Sequence, residues 1–300
     1  MQKVPGERGK EMKHAYLILA HSCFGQLKRL LSLLDHPLND IYVHIDKSST
    51  GFCPEDFKDV CKHSALQFIP ETVEVNWGGF SIVQAELILL RTALETGGYD
   101  FLHLLSGNDL PIKSQDYIHD FFRRNQGKEF VEFWNPAGHT FRRYRCRTFF
   151  PEKVGKHSVQ HLNQITKFLS FYLGLRQNRD VDFKCGSQWF SITEAFAHYV
   201  LSKEDWIEKV FKYTTIPDEA VITTVLHSSP FAASCAGTNM RLIDFTRRES
   251  GHKHPHTFTM EDFAMLRSSD CLFARKFSES VDSEIIGRIE EVWPEFSLPE

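Results

Sequence analysis

Apolar residues in the first half of the chain alternate between short continuous runs and longer runs with helical spacing. The continuous runs predict strands at 15–20, 41–46, 65–69 and 101–106. Helical spacing predicts helices at 25–34, 81–94 and 115–124, and Gly97 and Gly98 supply a stop signal for the second of them. Because nearly continuous apolar strands alternate with helices, we predict an α/β fold with a mainly parallel central sheet and helices on both faces.

The pattern loosens after about residue 130. Arginines gather in the run 142–147, a long helix is predicted within 156–178, and apolar residues return at 189–192 before a helix at 194–200. The sequence shows no internal repeat, low-complexity segment or convincing linker. We therefore predict one domain that covers residues 12–300.

Composition and charge exclude several classes of protein. The 300 residues are 42% hydrophobic and include 26 phenylalanines, which is incompatible with a disordered chain. The net charge of −4 argues against a nucleic-acid partner. The seven cysteines are scattered without a CxxC pair, which excludes a zinc ribbon and favours a reducing compartment. No apolar run reaches the length of a signal-peptide core or a membrane span, so we predict a cytoplasmic protein with at most peripheral contact at the inner face of a membrane.

Polar residues follow three of the predicted strands. His21 comes after the first strand, Asp46 after the second, and Asn108 and Asp109 after the fourth. Ligands of parallel α/β sheets bind beyond the carboxyl ends of the strands, and a carboxylate there can accept from a nucleobase or a ribose hydroxyl. The alternative is that the two aspartates only cap loops or helices. The segment 76–80, NWGGF, has neither P-loop nor dinucleotide-binding spacing and is more typical of a tight turn.

Two later segments carry charges suited to catalysis. Asp218 and Glu219 follow Pro217 where a helix begins, so they either complement the helix dipole or supply a general base for an alcohol. In LFARKF (272–277), Arg275 and Lys276 are either a solvated pair or a clamp for a leaving diphosphate. No pair of carboxylates that could bind a divalent metal follows a strand, and Asp109 stands alone in SGNDLP.

Histidines at 252, 254 and 256 raise the alternative of a zinc site. No HExxH motif or matched cysteine pair accompanies them, which favours a solvated loop. A metal-dependent hydrolase built on this cluster is the least favoured hypothesis.

Eight segments together resemble the Core-2/I-branching glycosyltransferase family, which includes β-1,6-N-acetylglucosaminyltransferases and peptide O-xylosyltransferases. They occur in family order over roughly residues 14–290: AYLILAH, IYVHIDKSS, VNWGGFSIVQAELILLRTAL, FLHLLSGNDLPIKS, GSQWFSIT, IPDEAVITTVL, NMRLIDF and LFARKF. The resemblance implies a GT-A-like nucleotide-diphosphosugar transferase fold. It also implies inverting chemistry, in which an acceptor hydroxyl displaces UDP in one step and basic residues replace a divalent metal. The chain is expected to be a minimal, bacterial, cytosolic version of the family.

The resemblance also assigns roles to residues. It makes 12–130 the nucleotide-binding half and 131–300 the acceptor-binding and catalytic half. Glu219 matches the general base. The donor-binding residues are expected to be His21, Asp46, Asn108, Asp109, Lys253, Arg275 and Lys276. The acceptor-binding residues are expected to be Glu132, Arg143, Trp189 and Phe245.

We therefore expect a metal-independent transferase without a cofactor, which moves a sugar from a UDP-sugar to a hydroxyl of a glycan or of a lipid-linked saccharide. N-acetylglucosamine is the expected sugar. The alternatives are a xylosyltransferase, a transferase of another UDP-sugar, and a catalytically silent protein that binds sugar nucleotides. The basic run 142–147 is explained equally well by membrane docking, by acceptor binding and by a solvated surface.

Overall fold

The computed structural model describes residues 12–134, 142–154, 157–174, 177–247 and 254–292. The strands are β1 (His14–Ala20), β2 (Asn39–Ile45), β3 (Ala65–Phe68), β4 (Phe101–Ser106), β5 (Asp109–Pro111), β6 (Phe133–Trp134), β7 (Cys185–Gly186), β8 (Ser191–Thr193), β9 (Arg241–Ile243) and β10 (Phe273–Arg275). The helices are α1 (Phe24–Leu34), α2 (Ser81–Thr96), α3 (Gln115–Arg124), α4 (Arg142–Arg145), α5 (His157–Tyr172), α6 (Glu194–Leu201), α7 (Glu204–Phe211), α8 (Val221–His227), α9 (Phe263–Ser268) and α10 (Ser283–Val292).

The central sheet has five strands in the order β3-β2-β1-β4-β8. The first four are parallel, and Ile18 at the centre of β1 lies in register with Val43 of β2 and Leu105 of β4. Only the edge strand β8 runs antiparallel to its neighbour β4. The prediction of an α/β fold with a mainly parallel sheet is confirmed.

Alternation along β1 divides the core into two layers. Ala15 and Leu17 face a layer that contains α2, α6, α7 and α8, whereas Tyr16 and Ile18 face a layer that contains α1, α3 and α10. All four of these side chains are fully buried. Helices therefore cover both faces of the sheet, which is why β1 is apolar at successive positions instead of alternating with polar residues.

A second sheet joins late segments of the chain to the loop that follows β4. Its order is β5-β10-β9, with β10 antiparallel to β5 and parallel to β9. Arg241 at the start of β9 is buried and connects the two sheets, since it donates to Leu104 O at 3.3 Å and to Ser191 Oγ at 2.8 Å. The carboxyl ends of β4 and β10 are thereby held beside one another.

The helix predicted within 156–178 is shorter in the structure. It ends at Tyr172 because Gly174 takes a left-handed conformation with φ +68°, which ends α-helices efficiently. All seven cysteines are unpaired. Within the described part of the chain, no helix combines the length and apolarity needed to cross a bilayer.

Three buried histidines, His14 of β1, His103 of β4 and His119 of α3, form a cluster between the central sheet and α3. The rings of His14 and His119 stack with centroids 4.0 Å apart, and His103 Nε2 lies 3.1 Å from His14 Nδ1. His119 Nε2 donates to Asn39 Oδ1 at 2.8 Å, since the Asn39 amide nitrogen already donates elsewhere. Burial lowers the pKa of all three histidines, that of His119 to about 3, so the buried histidine cluster is neutral at neutral pH.

Candidate active site

Arg275 lies at the carboxyl end of β10, where neighbouring side chains hold its guanidinium in place. Arg275 is in register with Asp109, and its Nη1 donates to Asp109 Oδ1 at 2.6 Å and also to Ser106 Oγ. The Asp109 carboxylate is 1% exposed and accepts from Ser106 N at 2.8 Å as well. Asp109 therefore orients the guanidinium, which remains 22% exposed at the strand end.

Arg275 has further neighbours that define a cationic site. Its guanidinium lies 4.3 Å from the centroid of the Trp189 ring, in cation–π geometry. Lys276 is half-buried beside it, and burial together with the positive charge of Arg275 lowers the pKa of Lys276. Two crowded cations at a strand end suit a ligand with concentrated negative charge, such as a diphosphate.

Glu219 lies in the turn Pro217–Glu219 just before α8, as the sequence placed it. Its Oε2 accepts from Arg143 Nη1 at 3.0 Å. Burial raises the pKa of Glu219, and the Arg143 charge opposes that rise. The carboxylate is 29% exposed, so it can reach a ligand while being a stronger base than a solvated glutamate.

Two further carboxyl groups lie behind Glu219. Burial raises the pKa of Asp218 to about 7, with the Glu219 charge as a second cause, and Asp218 Oδ1 is enclosed without a hydrogen-bond partner among the described residues. Glu86 of α2 is 3% exposed, and burial followed by the charge of Asp218 raises its pKa well above the usual range. Gln188 Nε2 donates to Glu86 Oε1 at 2.7 Å. The acidic end of the site is thus a row of three coupled carboxyl groups.

Adjacent residues of one segment connect the cationic and acidic ends. Gln188 contacts Glu86, and Trp189 stacks against Arg275. The segment is held by the β6–β7 pair, where a Cβ at Gly186 would lie 1.9 Å from Glu132 O, so only glycine fits. The acidic and cationic ends of the site are therefore linked through the side chains of two adjacent residues.

A cavity of about 260 Å³ opens beside Arg143. It is lined by Trp77, Arg143, Val154, Asn163, Gln164, Lys167, Thr215 and Ile216. Burial lowers the pKa of Lys167 to about 8, with Arg143 as a further cause. The cavity therefore has a cationic wall and an exposed tryptophan, which suits a polar ligand with an apolar face such as a sugar ring.

The other acceptor-binding candidates lie apart from this cavity lining. Burial raises the pKa of Glu132, whose side chain is hydrogen-bonded to that of Trp134. Phe245 follows β9 and is 43% exposed. Trp189 is 8% exposed and contacts Arg275. Their roles remain predictions.

The remaining donor-binding candidates have specific local partners. Asp46 is 7% exposed, and its carboxylate accepts from Ser48 N and Oγ, both at 2.7 Å, and from Val75 N at 3.1 Å. This is the loop-capping geometry that the sequence left as the alternative for Asp46. His21 is exposed, and Asn108 is half-buried with its carbonyl accepting from Phe277 N. Lys253 lies outside the described residues.

In the histidine-rich segment 252–256, the described residues 254–256 do not form part of a cluster of metal ligands. His256 Nε2 lies 3.0 Å from Asp262 Oδ2, and the same carboxylate binds Arg247. His254 is exposed, and His252 lies outside the described residues. The described part of the chain contains no group of three or more residues able to hold a metal ion.

Sequence reasoning missed several residues of the site. The sequence motifs contain Glu86, Gln188 and Trp77 but predict no role for them. A signal existed for Glu86, because it is the one charged residue in the apolar run 82–90 of α2. No local signal could identify Gln188, whose partner is 102 residues away in sequence.

Comparison with known proteins identifies relatives along most of the chain. The model of the Core-2/I-Branching enzyme family matches residues 14–267. Xylosyltransferase 2 of Bos taurus is 28% identical, with 94% of this chain and 34% of the relative covered. Xylosyltransferase 1 of Homo sapiens is 26% identical, with 92% and 30% covered. The chain thus spans about a third of the length of these relatives. The apo crystal structure of mouse xyloside xylosyltransferase 1 shares 8% identity and a TM-score of 0.39, covering 87% of this chain and 96% of that one.

Proposed function

The chain belongs to the Core-2/I-branching enzyme family, and we propose that it is an inverting, metal-independent glycosyltransferase that moves a sugar from a UDP-sugar to a hydroxyl acceptor. The observation that carries the proposal is the juxtaposition of two charged ends. Arg275 and Lys276 form a cationic site beside Trp189, and Glu219 is a partly exposed base. Gln188, the neighbour of Trp189, donates to Glu86, which belongs to the same row of carboxyl groups as Glu219.

The chemistry follows from this separation of charge. Glu219 accepts the proton of the acceptor hydroxyl as its oxygen attacks the anomeric carbon of the donor. The bond between that carbon and the diphosphate oxygen breaks on the opposite side, which inverts the configuration. Arg275 and Lys276 stabilise the negative charge that accumulates on the departing UDP, a role that a divalent metal performs in other sites.

Xylose is the first donor sugar to test, because the relatives reported above are named xylosyltransferases. The expectation of N-acetylglucosamine, drawn from the resemblance to branching enzymes, stays a prediction. Sugar nucleotides that differ only in the sugar can be compared in one assay. The glycan or lipid-linked acceptor is likewise part of the proposal.

The test combines donor binding with turnover. Thermal shifts with UDP, UDP-xylose, UDP-GlcNAc, UDP-glucose and UDP-GalNAc are measured with and without EDTA, and UDP release is followed with water and with a panel of glycans. A ligand at a hundredfold excess over Kd stabilises the fold by about 2.7 kcal/mol. We expect a shift with UDP and with one UDP-sugar that EDTA leaves unchanged.

Glu219→Gln is expected to lower UDP release by about 10²–10⁴-fold while the UDP-induced shift persists. Glu208→Gln, at an exposed position on α7, is the matched control. Full activity of Glu219→Gln would refute the assignment of Glu219 as the general base. A shift that requires Mn²⁺ or Mg²⁺ would contradict the cationic clamp. Binding without turnover for every donor and acceptor would instead identify a silent sugar-nucleotide-binding protein.

A further inference from the structure

The outer face of α5 exposes an unusual amount of apolar surface. The exposed large side chains there are Leu162 (45%), Ile165 (55%), Phe168 (60%), Leu169 (49%), Tyr172 (70%) and, just beyond the helix, Leu173 (67%). At 100° per residue these six positions fall within an arc of about 140°. Isolated exposed apolar residues are common, but a contiguous stripe of this kind marks a binding surface.

A neighbouring loop extends the same surface. Phe149 and Phe150 are 58% and 38% exposed. Asn163 of α5 fixes this loop by two hydrogen bonds of 3.1 Å, since Phe150 N donates to its Oδ1 and its Nδ2 donates to Phe150 O. The Asn163 side chain therefore holds the backbone of this loop against α5.

The charge of the surrounding segment indicates which kind of partner this apolar surface binds. Residues 142–181 contain nine lysines and arginines but only two acidic residues, a net charge of +7 in a chain whose total is −4. Of the two acidic residues, Glu152 turns inward, where its carboxylate accepts from Phe80 N at 2.7 Å. Arg147, Lys153 and Arg179 are exposed, and Arg179 donates to Gly174 O at the end of the helix.

We propose that α5 and the Phe149–Phe150 loop form a docking surface for an anionic lipid bilayer. An apolar, partly aromatic helix face with adjacent cations is the combination that binds the interface of acidic membranes. The inner face of α5 supplies Asn163, Gln164 and Lys167 to the cavity beside Arg143, so docking would bring that cavity close to the membrane surface. Binding to the bilayer does not depend on the proposed transferase activity.

The test is co-sedimentation of the whole chain with vesicles of phosphatidylcholine alone and of phosphatidylcholine mixed with phosphatidylglycerol. We expect binding to the mixed vesicles that weakens with salt, and little binding to the neutral ones. The double variant F168S/L169S is expected to bind at least about tenfold more weakly, because it removes two apolar side chains from the interface. The matched control is V281S, at a valine that is 60% exposed outside this surface.

Both substituted positions of the double variant are solvent-exposed, and an unchanged melting temperature would show that it folds. Equal binding to both vesicle types would overturn the choice of an anionic surface. No binding by the native chain, or undiminished binding by F168S/L169S, would overturn the docking surface itself. Light scattering tests whether the surface instead binds a second copy of the chain. A concentration-dependent dimer that F168S/L169S abolishes would identify a dimer interface and overturn the membrane-docking proposal.

Discussion

Asp218→Asn should stabilise the protein, although it alters the candidate active site. The native structure keeps a carboxyl group where ionisation is unfavourable, since burial and the Glu219 charge raise its pKa from 3.8 to about 7. Between these two pH values the folded chain binds more protons than the unfolded chain. Stability is therefore lost as pH rises from about 4 to 7 and stays constant above that, and an asparagine removes this loss.

The magnitude follows from the pKa difference. A shift of about three pH units at ~1.36 kcal/mol each gives an upper limit of about 4 kcal/mol above pH 7. Asp218 is only half-buried as a residue, so solvent screening reduces the expected gain to about 2 kcal/mol. For a chain of this length that corresponds to a rise in melting temperature of about 3 °C.

The assay is thermal unfolding of the native chain and of Asp218→Asn at pH 5, 7 and 8. The gain should be small at pH 5 and largest at pH 7 and above. Asp59→Asn, at a solvent-exposed aspartate, is the control and should leave the melting temperature unchanged. A variant that is less stable than the native chain at pH 8, or equally stabilised at every pH, would refute the assignment of Asp218 as a destabilising buried acid.

Three further predictions concern neighbouring charges. Arg143→Gln removes the cation that opposes the rise in the pKa of Glu219, so the acid limb of the kcat/KM profile should move to higher pH; an unchanged acid limb would show that this ion pair does not tune the catalytic base. Asp109→Asn releases the guanidinium of Arg275 and should weaken UDP binding about tenfold by calorimetry, whereas unchanged affinity would show that the ion pair does not position the cation. Acidification from pH 7.5 to 5 should destabilise the fold through the buried histidine cluster, because the unfolded chain takes up protons first, and the contribution of His119 should be about 2 kcal/mol. His119→Gln should remove that contribution in urea titrations, and an undiminished loss would count against the cluster.

The first half of the fold could be predicted from sequence because each element carries its own signal. The strand at 101–106 and the helix at 115–124 have the bounds that apolar periodicity predicted. The start of the helix at residue 115 is explained by Ser114, because its side chain accepts from Tyr117 N as an N-cap. These signals are local, so they are visible without knowledge of the tertiary structure.

The second sheet could not be predicted in the same way. Strands β5, β9 and β10 have three residues each, too few to show an alternation of apolar and polar positions. Their pairing brings Asp109 against Arg275 across 166 residues of sequence. Residue types at strand ends and in motifs suggested which side chains belong to the site. Which of them touch is decided by tertiary packing.

The Asp109–Arg275 pair gives a physical account of the cationic clamp in the proposed mechanism. Metal-binding sites commonly use carboxylates as ligands, and the sequence left Asp109 without a second acidic residue. In the fold, its two oxygens accept from Arg275 and from Ser106, and the group is 1% exposed. A carboxylate committed in this way serves as the counter-ion of a fixed guanidinium and leaves little capacity for a metal ion. In the proposed mechanism, Arg275, with Lys276 beside it, would present to the diphosphate the positive charge that a metal supplies in other sites.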